Sequence, residues 1–364
     1  MTILAGDIGK EKSNLALFSH KKDSSGSIII NPDIEPIIQT FETKYEVSEL
    51  QKMIEVFLKD NYDPHQKDIY GACFSIAALV DQRKATLSDG NKSVTFSEQD
   101  FKQKLPYPNV PVAFLNDMEA IGYDIFLGNE ESILQEIHKQ ERLTDPKDSR
   151  ALMLVSDGLG AAKWICRDEK KGDLEPDSSE WGHGDFAART DSEKKILQYL
   201  EARRKDHKDH TPVSREYTLS KRGLQRIYHS LENPEIYDNQ SFSLEPEAIV
   251  EKGLQGDSLC KSSLDLFMAI WGAEMGNLAL TFKAEGGVYI VTDLPIPLDK
   301  FKEGAFIEAF LKKEPEKMGF RDFLNKIPIF LIQEPNIGIW GAARYAINKG
   351  FITKGKFAIM RANQ

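Results

Sequence analysis

At 364 residues the chain is long enough for two lobes with separate cores, since domains cluster near 100 to 150 residues. Its 57 acidic and 47 basic side chains leave a formal charge of -10, which argues against a nucleic-acid partner but leaves room for a small polyanion held by a local field. Cys73, Cys166 and Cys260 are too few and too scattered for a disulfide framework or a Cys-based zinc site. No stretch nears the roughly 18 apolar residues of a membrane span, and the first strand meets an acid at Asp7 before any signal-like core, so a cytoplasmic protein without a membrane partner is expected.

Ile3 to Gly6 and Leu15 to Phe18 read as strands joined by a polar loop from Asp7 to Asn14. Ser27 to Ile30 and the stretch around Phe41 to Tyr45 are weaker strands. Val47 to Leu58 carries Leu50, Met53, Ile54 and Phe57 at helical spacing. Asp68 to Phe74 returns to strand, Lys84 to Glu98 has no clear period, and Phe101 to Leu105 ends a helix capped by Ser97 with Asp100 three residues on. A strand over 110–115 leads into a helix from Asp117 to Phe126. Glu130 to Glu141 reads as a charged amphipathic helix and Thr144 to Arg150 as a linker.

Ala151 to Val155 and Lys163 to Cys166 form a second strand pair around Ser156 to Ala162, echoing the opening hairpin and hinting at two lobes on one plan. Helices are expected over 191–203, 223–231, 244–254, 258–282, 306–311 and 338–347, with strands over 288–291 and 328–332. Arg204 to Asp209 reads as a solvated charge run. In the longest helix, Gly272 and Gly276, four apart, would let another helix pack closely. Strands alternating with helices and Gly-containing turns point to α/β layers.

The polar residues that stand out follow strands. Asn116-Asp117 ends the apolar run Val110 to Leu115 and opens a helix, the sheet edge where α/β proteins collect ligands. Asp117 serves equally well, on local sequence, as a helix cap. His183 lies between two glycines in Glu180-Trp181-Gly182-His183-Gly184-Asp185, and a tight turn with a surface histidine fits this as well as a ligand site does. With Val213-Ser214-Arg215-Glu216 these segments offer the rigid acceptors and donors that a hydroxyl-rich ligand such as a sugar needs. His20, His65, His138, His207, His210 and His229 sit in polar or helical surroundings. The glycine loops at 7–14 and 156–162 match neither a Walker A motif nor the dinucleotide fingerprint.

Taken in order, Asp7-Ile8-Gly9, Ala72 to Ala77, Leu115-Asn116-Asp117, Gly158-Leu159-Gly160, Glu180 to Ala187, Val213 to Ser220, Gly272 to Leu280, Gly286 to Ile290 and Asn336 to Ala343 resemble the bacterial glucokinase family of the actin-like sugar kinases. The resemblance runs almost end to end. It implies a two-lobed actin-like ATPase (ribonuclease H-like) fold, each lobe a mixed sheet flanked by helices. Residues 1–126 plus 343–364 would form the small lobe and 127–342 the large one, with the active-site cleft between them. It implies ATP-dependent phosphorylation of glucose at the 6-hydroxyl, with ATP and Mg²⁺ as cofactors. Asp117 matches the catalytic base; Asn116, Glu180, His183 and Glu216 match the sugar-binding residues. Asp7, Gly9, Lys10, Gly158, Gly160 and Gly287 fall on the nucleotide side, Asp7 near the metal through water. Members of this family commonly form homodimers, which nothing in this chain's periodicity requires.

Departures from the family pattern concentrate on the nucleotide side. The first phosphate loop, Asp-X-Gly-Gly-Thr in the family, is here Asp7-Ile8-Gly9-Lys10-Glu11, and the second, Gly-Thr-Gly-Leu-Gly, is Ser156-Asp157-Gly158-Leu159-Gly160. The Gly-Gly after the late strand has become Thr292-Asp293, and a Gly-Pro turn is Ala78-Leu79. Uncompensated carboxylates beside a triphosphate repel it. Two classes of function therefore fit: a glucokinase, or a sugar-binding homologue that kept the sugar pocket and weakened its phosphate loops. A kinase for another hexose or phosphoryl donor is a third reading.

Overall fold

The computed structural model describes residues 2–24, 28–63, 68–88, 92–127, 133–138, 145–168, 174–206, 208–235, 242–313 and 318–348. Ser27, His65, Thr144, His207, the ends of the helix expected over 130–141 and the 349–364 part of the expected small lobe lie outside them. The chain forms two compact units, 1–130 with 335–364, and 131–334. The second crossing precedes residue 335 rather than 343, because the whole closing helix Ile337–Asn348 packs on strands and a helix of the first unit.

In the first unit Thr2–Ile8 (β1) and Lys12–Lys22 (β2) are antiparallel, with Asp7 opposite Asn14 and Ile8 opposite Ser13. Most of the segment expected to loop from 7 to 14 is therefore paired strand, and only Gly9 to Glu11 turns. Ile28–Ile30 (β3) and Ile37–Glu42 (β4) pair with β2. The helix Val47–Asn61 (α1) buries Leu50, Met53, Ile54, Phe57 and Leu58, the stripe its spacing predicts. Ile69–Ile76 (β5) runs parallel to β1.

The aperiodic stretch 84–98 resolves into a small sheet of Val80–Asp81 (β6), Lys84–Ser88 (β7) and Ser93–Ser97 (β8). Ala85, Leu87, Val94 and Phe96 are buried while Lys84, Thr86, Ser93 and Thr95 are exposed, a period of two hidden by the short strands. Ser97 and Asp100 form a reciprocal capping box on Glu98–Lys102 (α2). Val112–Asn116 (β9) then adds parallel to β5 and opens directly into Asp117–Leu127 (α3). The closing helix lies so near α3 that a Cβ at Gly341 would collide with the Ala120 carbonyl oxygen, and Arg344 donates to buried Asp124 at 2.6 Å.

In β2, the Nε2 of His20 is buried without a hydrogen-bond partner among the described residues, its ring edge-on to Tyr70. Burial pushes its pKa down to about 4, below an ordinary value of 6.5. The unfolded chain therefore binds a proton between pH 6.5 and 4 that the folded chain refuses, so stability falls as pH falls through that window. Thermal unfolding across this range should show a shallower decline for His20→Asn than for the parent, and parallel curves would refute the assignment.

The second unit repeats the plan. Gln135–His138 (β10), Arg150–Val155 (β11), Leu159–Cys166 (β12), Leu174–Ser179 (β13), Val288–Thr292 (β14) and Ile329–Ile332 (β15) form a sheet in the order β10-β15-β14-β11-β12-β13. Here β11, β14 and β15 are parallel with β12 antiparallel to β11, just as β1, β5 and β9 are parallel with β2 antiparallel to β1. The echo in sequence thus extends to a four-strand pattern.

The helix expected over 130–141 is corrected: its described residues 135–138 are an edge strand, with buried Ile137 between exposed Glu136 and half-buried His138. A charged segment with one apolar anchor satisfies a strand edge as readily as a helix face. Strand β13 gave no signal, being polar with Pro176 inside it, as an edge permits.

The helices of this unit are Asp191–Asp206 (α4), Arg215–Thr218 (α5), Lys221–Glu232 (α6), Pro246–Leu254 (α7), Ser258–Phe282 (α8), Asp299–Lys302 (α9), Ala305–Leu311 (α10) and Phe320–Leu324 (α11). Gly272 and Gly276 of α8 meet the carbonyl oxygens of Phe306 and Phe310 on α10, the close packing their spacing predicts. The charge run at the end of α4 is not simply solvated. Arg204 donates to Asp209 and to the Pro212 carbonyl, and its guanidinium lies 4.8 Å from the Tyr217 ring centre. Among the described residues no helix is long and apolar enough to cross a membrane, and Cys73, Cys166 and Cys260 are free thiols.

Candidate active site

In the first unit the candidate residues gather at the carboxyl ends of β1, β5 and β9, because the strands are parallel and in register: Asp7 beside Ser75, Ile76 beside Asn116. Ser75 Oγ donates to Asp7 Oδ1 at 2.8 Å. Burial raises the Asp7 carboxyl above the usual carboxylate range, and the Ser75 hydrogen bond offsets part of that. The Gly9 N–H closes the turn by donating to the Lys12 carbonyl at 3.1 Å, while Lys10 is exposed and its carbonyl accepts from the Tyr45 hydroxyl at 2.8 Å. Lys10, Glu11, Lys12, Phe41 and Tyr45 line an open groove of about 540 Å³.

Local sequence allowed Asp117 to cap the helix, but the capping side chain is that of its neighbour. Asn116 precedes the helix, its Nδ2 donating to the Ala78 carbonyl at 3.1 Å and its Oδ1 accepting from the Met118 N–H at 3.0 Å, so the helix cap is Asn116. Asp117 is the first helical residue and half-buried; its Oδ1 also accepts from the Met118 N–H, at 2.8 Å. A carboxylate in a helix's first turn sits where the orphan N–H groups favour an anion.

In the second unit three separate segments converge. Glu180 precedes a 3₁₀ turn, Trp181–His183, and the His183 imidazole lies 3.6 Å from the Glu180 carboxylate with both side chains exposed. The turn is possible because Gly182 packs flat on the Leu159 carbonyl, which any side chain there would strike. Asp185 bridges to Ser214, and the Phe186 and Arg215 N–H groups donate to the Val213 and Gly184 carbonyls. Glu216 is thereby carried to the turn after β11, where its Oε2 accepts from the Leu159 N–H at 3.1 Å and lies against Gly158.

Gly158 ends that turn and Gly160 continues into β12 opposite Leu154. Gly287 is not brought there. It stands before the amino end of β14 with φ +117°, whereas Thr292 at the carboxyl end is the residue level with Val155. The parallel register puts Gly287, expected on the nucleotide side, at the edge of the sheet opposite the Ser156 to Gly160 turn.

The arrangement contains features that sequence did not single out. Arg215 stacks over the Trp181 ring with its guanidinium carbon 4.4 Å from the ring centre, donates to the Trp181 carbonyl at 3.3 Å, and donates to Glu274 of α8 at 2.9 Å. Glu274 is 2% exposed. A carboxylate amid the apolar stripe of α8 was the available signal. Lys221 forms an ionic hub with Asp157, Glu247 and Asp293. Among the described residues no group of three or more His, Cys, Asp or Glu is arranged to hold a metal. A lone fixed carboxylate such as Asp7 suits Mg²⁺, which keeps waters and takes its other ligands from substrate phosphates.

The glucokinase family model matches residues 4–349. The chain belongs to the glucokinase family. A glucokinase of Nostoc sp. is 30% identical over 361 residues, covering 94% of this chain and 97% of its own. A solved glucokinase from an Antarctic psychrotroph is 25% identical with a TM-score of 0.69, over 94% of this chain and 98% of that one. The glucokinase of Balamuthia mandrillaris, solved in complex with glucose, shares the fold at 17% identity and a TM-score of 0.75, over 96% and 94% of the two chains. Each unit of this glucokinase-family chain is accordingly a mixed sheet flanked by helices, the architecture of the actin-like sugar kinases.

Proposed function

We propose that this chain is an ATP-dependent glucokinase that transfers the γ-phosphoryl group of ATP to the 6-hydroxyl of glucose, acting in the cytoplasm. What carries the reading is the family match over residues 4–349 together with the presence of every sugar-side residue, Asn116, Asp117, Glu180, His183 and Glu216. Asp117 accepts the proton of the 6-hydroxyl as the oxygen attacks phosphorus. Asn116, Glu180, His183 and Glu216 orient the remaining hydroxyls; Glu216 is held by the Leu159 N–H and Asn116 by its hydrogen bonds to Ala78 and Met118, so both are preorganised. Gly9 and Lys10 of the first unit and Gly158 and Gly160 of the second are assigned to the donor's phosphates by their match to the family's loops. Asp7 would hold Mg²⁺, and that ion would supply charge neutralisation of the phosphate oxygens.

A second reading is favoured by Glu11 and Asp157, which put carboxylates into both phosphate loops: a homologue that binds sugar and transfers phosphoryl groups poorly or not at all. Calorimetry with glucose and with a non-hydrolysable Mg-ATP analogue separates the two. The kinase binds both ligands, whereas glucose binding without nucleotide binding selects the second reading.

A further inference from the structure

The Lys221 hub joins two of the segments in which this chain departs from its family. Lys221 is the first residue of α6, whose N-cap is Ser220, and its N–H donates to the Ser156 carbonyl at 2.8 Å, so it is pinned to the turn after β11. Its ammonium lies 2.6 Å from Asp293, 3.6 Å from Glu247 and 3.7 Å from Asp157. The lysine side chain is only 19% exposed, while the carboxylates of Asp157, Glu247 and Asp293 are 65%, 49% and 53% exposed. Asp293 is itself placed by Thr292, whose hydroxyl donates to the Val155 carbonyl at 2.7 Å and accepts from the Leu294 N–H at 3.1 Å.

Three carboxylates against one ammonium leave two formal negative charges. Asp157 and Asp293 follow the carboxyl ends of the adjacent parallel strands β11 and β14, Glu247 lies in the first turn of α7, and Lys221 begins a 12-residue helix. Strand ends and helix starts of this kind otherwise attract anionic ligands. We infer that Lys221 is a specificity-determining residue for the phosphoryl donor: it offsets the carboxylates of Asp157 and Asp293, and the balance of this hub sets how strongly a nucleoside triphosphate is held. The inference rests on the proposed kinase reading, in which the Ser156 to Gly160 turn faces the donor's phosphates. Because the carboxylates are solvated, each unit of charge acts through water and is screened by salt.

The test is steady-state kinetics of glucose phosphorylation by the full chain, with calorimetry of a Mg-ATP analogue. Lys221→Met should raise the KM for Mg-ATP roughly two- to fivefold, and Asp157→Asn or Asp293→Asn should lower it by a similar factor, the scale of exposed charge pairs. The KM for glucose should stay unchanged, and the differences should shrink at 0.5 M KCl, where the Debye length falls to about 4 Å. The double variant Lys221→Met/Asp293→Asn keeps the hub's net charge and should return close to the parent KM. A merely structural lysine would leave that double variant as impaired as Lys221→Met, which overturns the inference. Phosphoryl transfer with a nucleotide KM indifferent to all four variants also overturns it while sparing the kinase reading. Absence of both transfer and nucleotide binding in the parent and in the Asn variants removes the two together.

Discussion

Asp117→Asn is expected to lower kcat for glucose phosphorylation by about 10²- to 10⁴-fold, the usual contribution of a general base, while leaving glucose affinity within a small factor of the parent. The substitution suits the site because an amide oxygen can still accept from the Met118 N–H that Asp117 Oδ1 accepts at 2.8 Å, so the first turn of α3 is kept. The helix cap is kept as well, since that role belongs to Asn116. What is lost is the ability to take a proton. A fall in kcat with unchanged glucose binding therefore reads as lost chemistry rather than lost folding. Equal kcat for the variant and the parent would remove Asp117 as the base.

Glu274→Ala should be the most destabilising single change in the second unit that follows from this site. The Glu274 and Arg215 side chains are 2% and 20% exposed and 2.9 Å apart, so truncating the acid leaves a largely desolvated guanidinium without its counterion. Breaking such a pair costs about 3–5 kcal/mol. Arg215 also holds the Trp181 carbonyl and ring, so the change should loosen the turn carrying Glu180 and His183 and raise the KM for glucose. Glu274→Gln keeps an acceptor and should lose less of both. Chemical denaturation of the three proteins measures the stability difference, and a Glu274→Ala protein as stable as the parent would show that Arg215 finds another partner.

Much of this was legible because the deciding signals are local. The period of α1, the capping box of Ser97 and Asp100, and the apolar run ending in Asn116-Asp117 each rest on a few adjacent residues. The echo between residues 1–18 and 151–166 survived because both hairpins are built on buried strands. Sequence misled where burial is sparse or pairing is remote. Residues 135–138 have one anchor, Ile137, and become a strand only because β15 is there to pair with them. Gly287 was expected on the nucleotide side, and the register of β11 with β14 puts it at the sheet edge opposite the turn after β11. The division between Asn116 as cap and Asp117 as first-turn carboxylate depends on one N–H, that of Met118, whose geometry no composition argument reaches.

The altered loops also look different once folded. Asp157 and Asp293, unpaired charges on paper, share Lys221, which lies 64 residues after one and 72 before the other. The lysine softens the repulsion that a triphosphate would meet and keeps phosphoryl transfer compatible with an acidic second loop.

The most direct measurement follows glucose, Mg-ATP and the purified protein by phosphorus NMR. The kinase account predicts a new phosphomonoester signal of glucose 6-phosphate growing as ATP is converted to ADP, at a rate that collapses in Asp117→Asn. Glucose bound at the same protein concentration with the ATP resonances unchanged would contradict it.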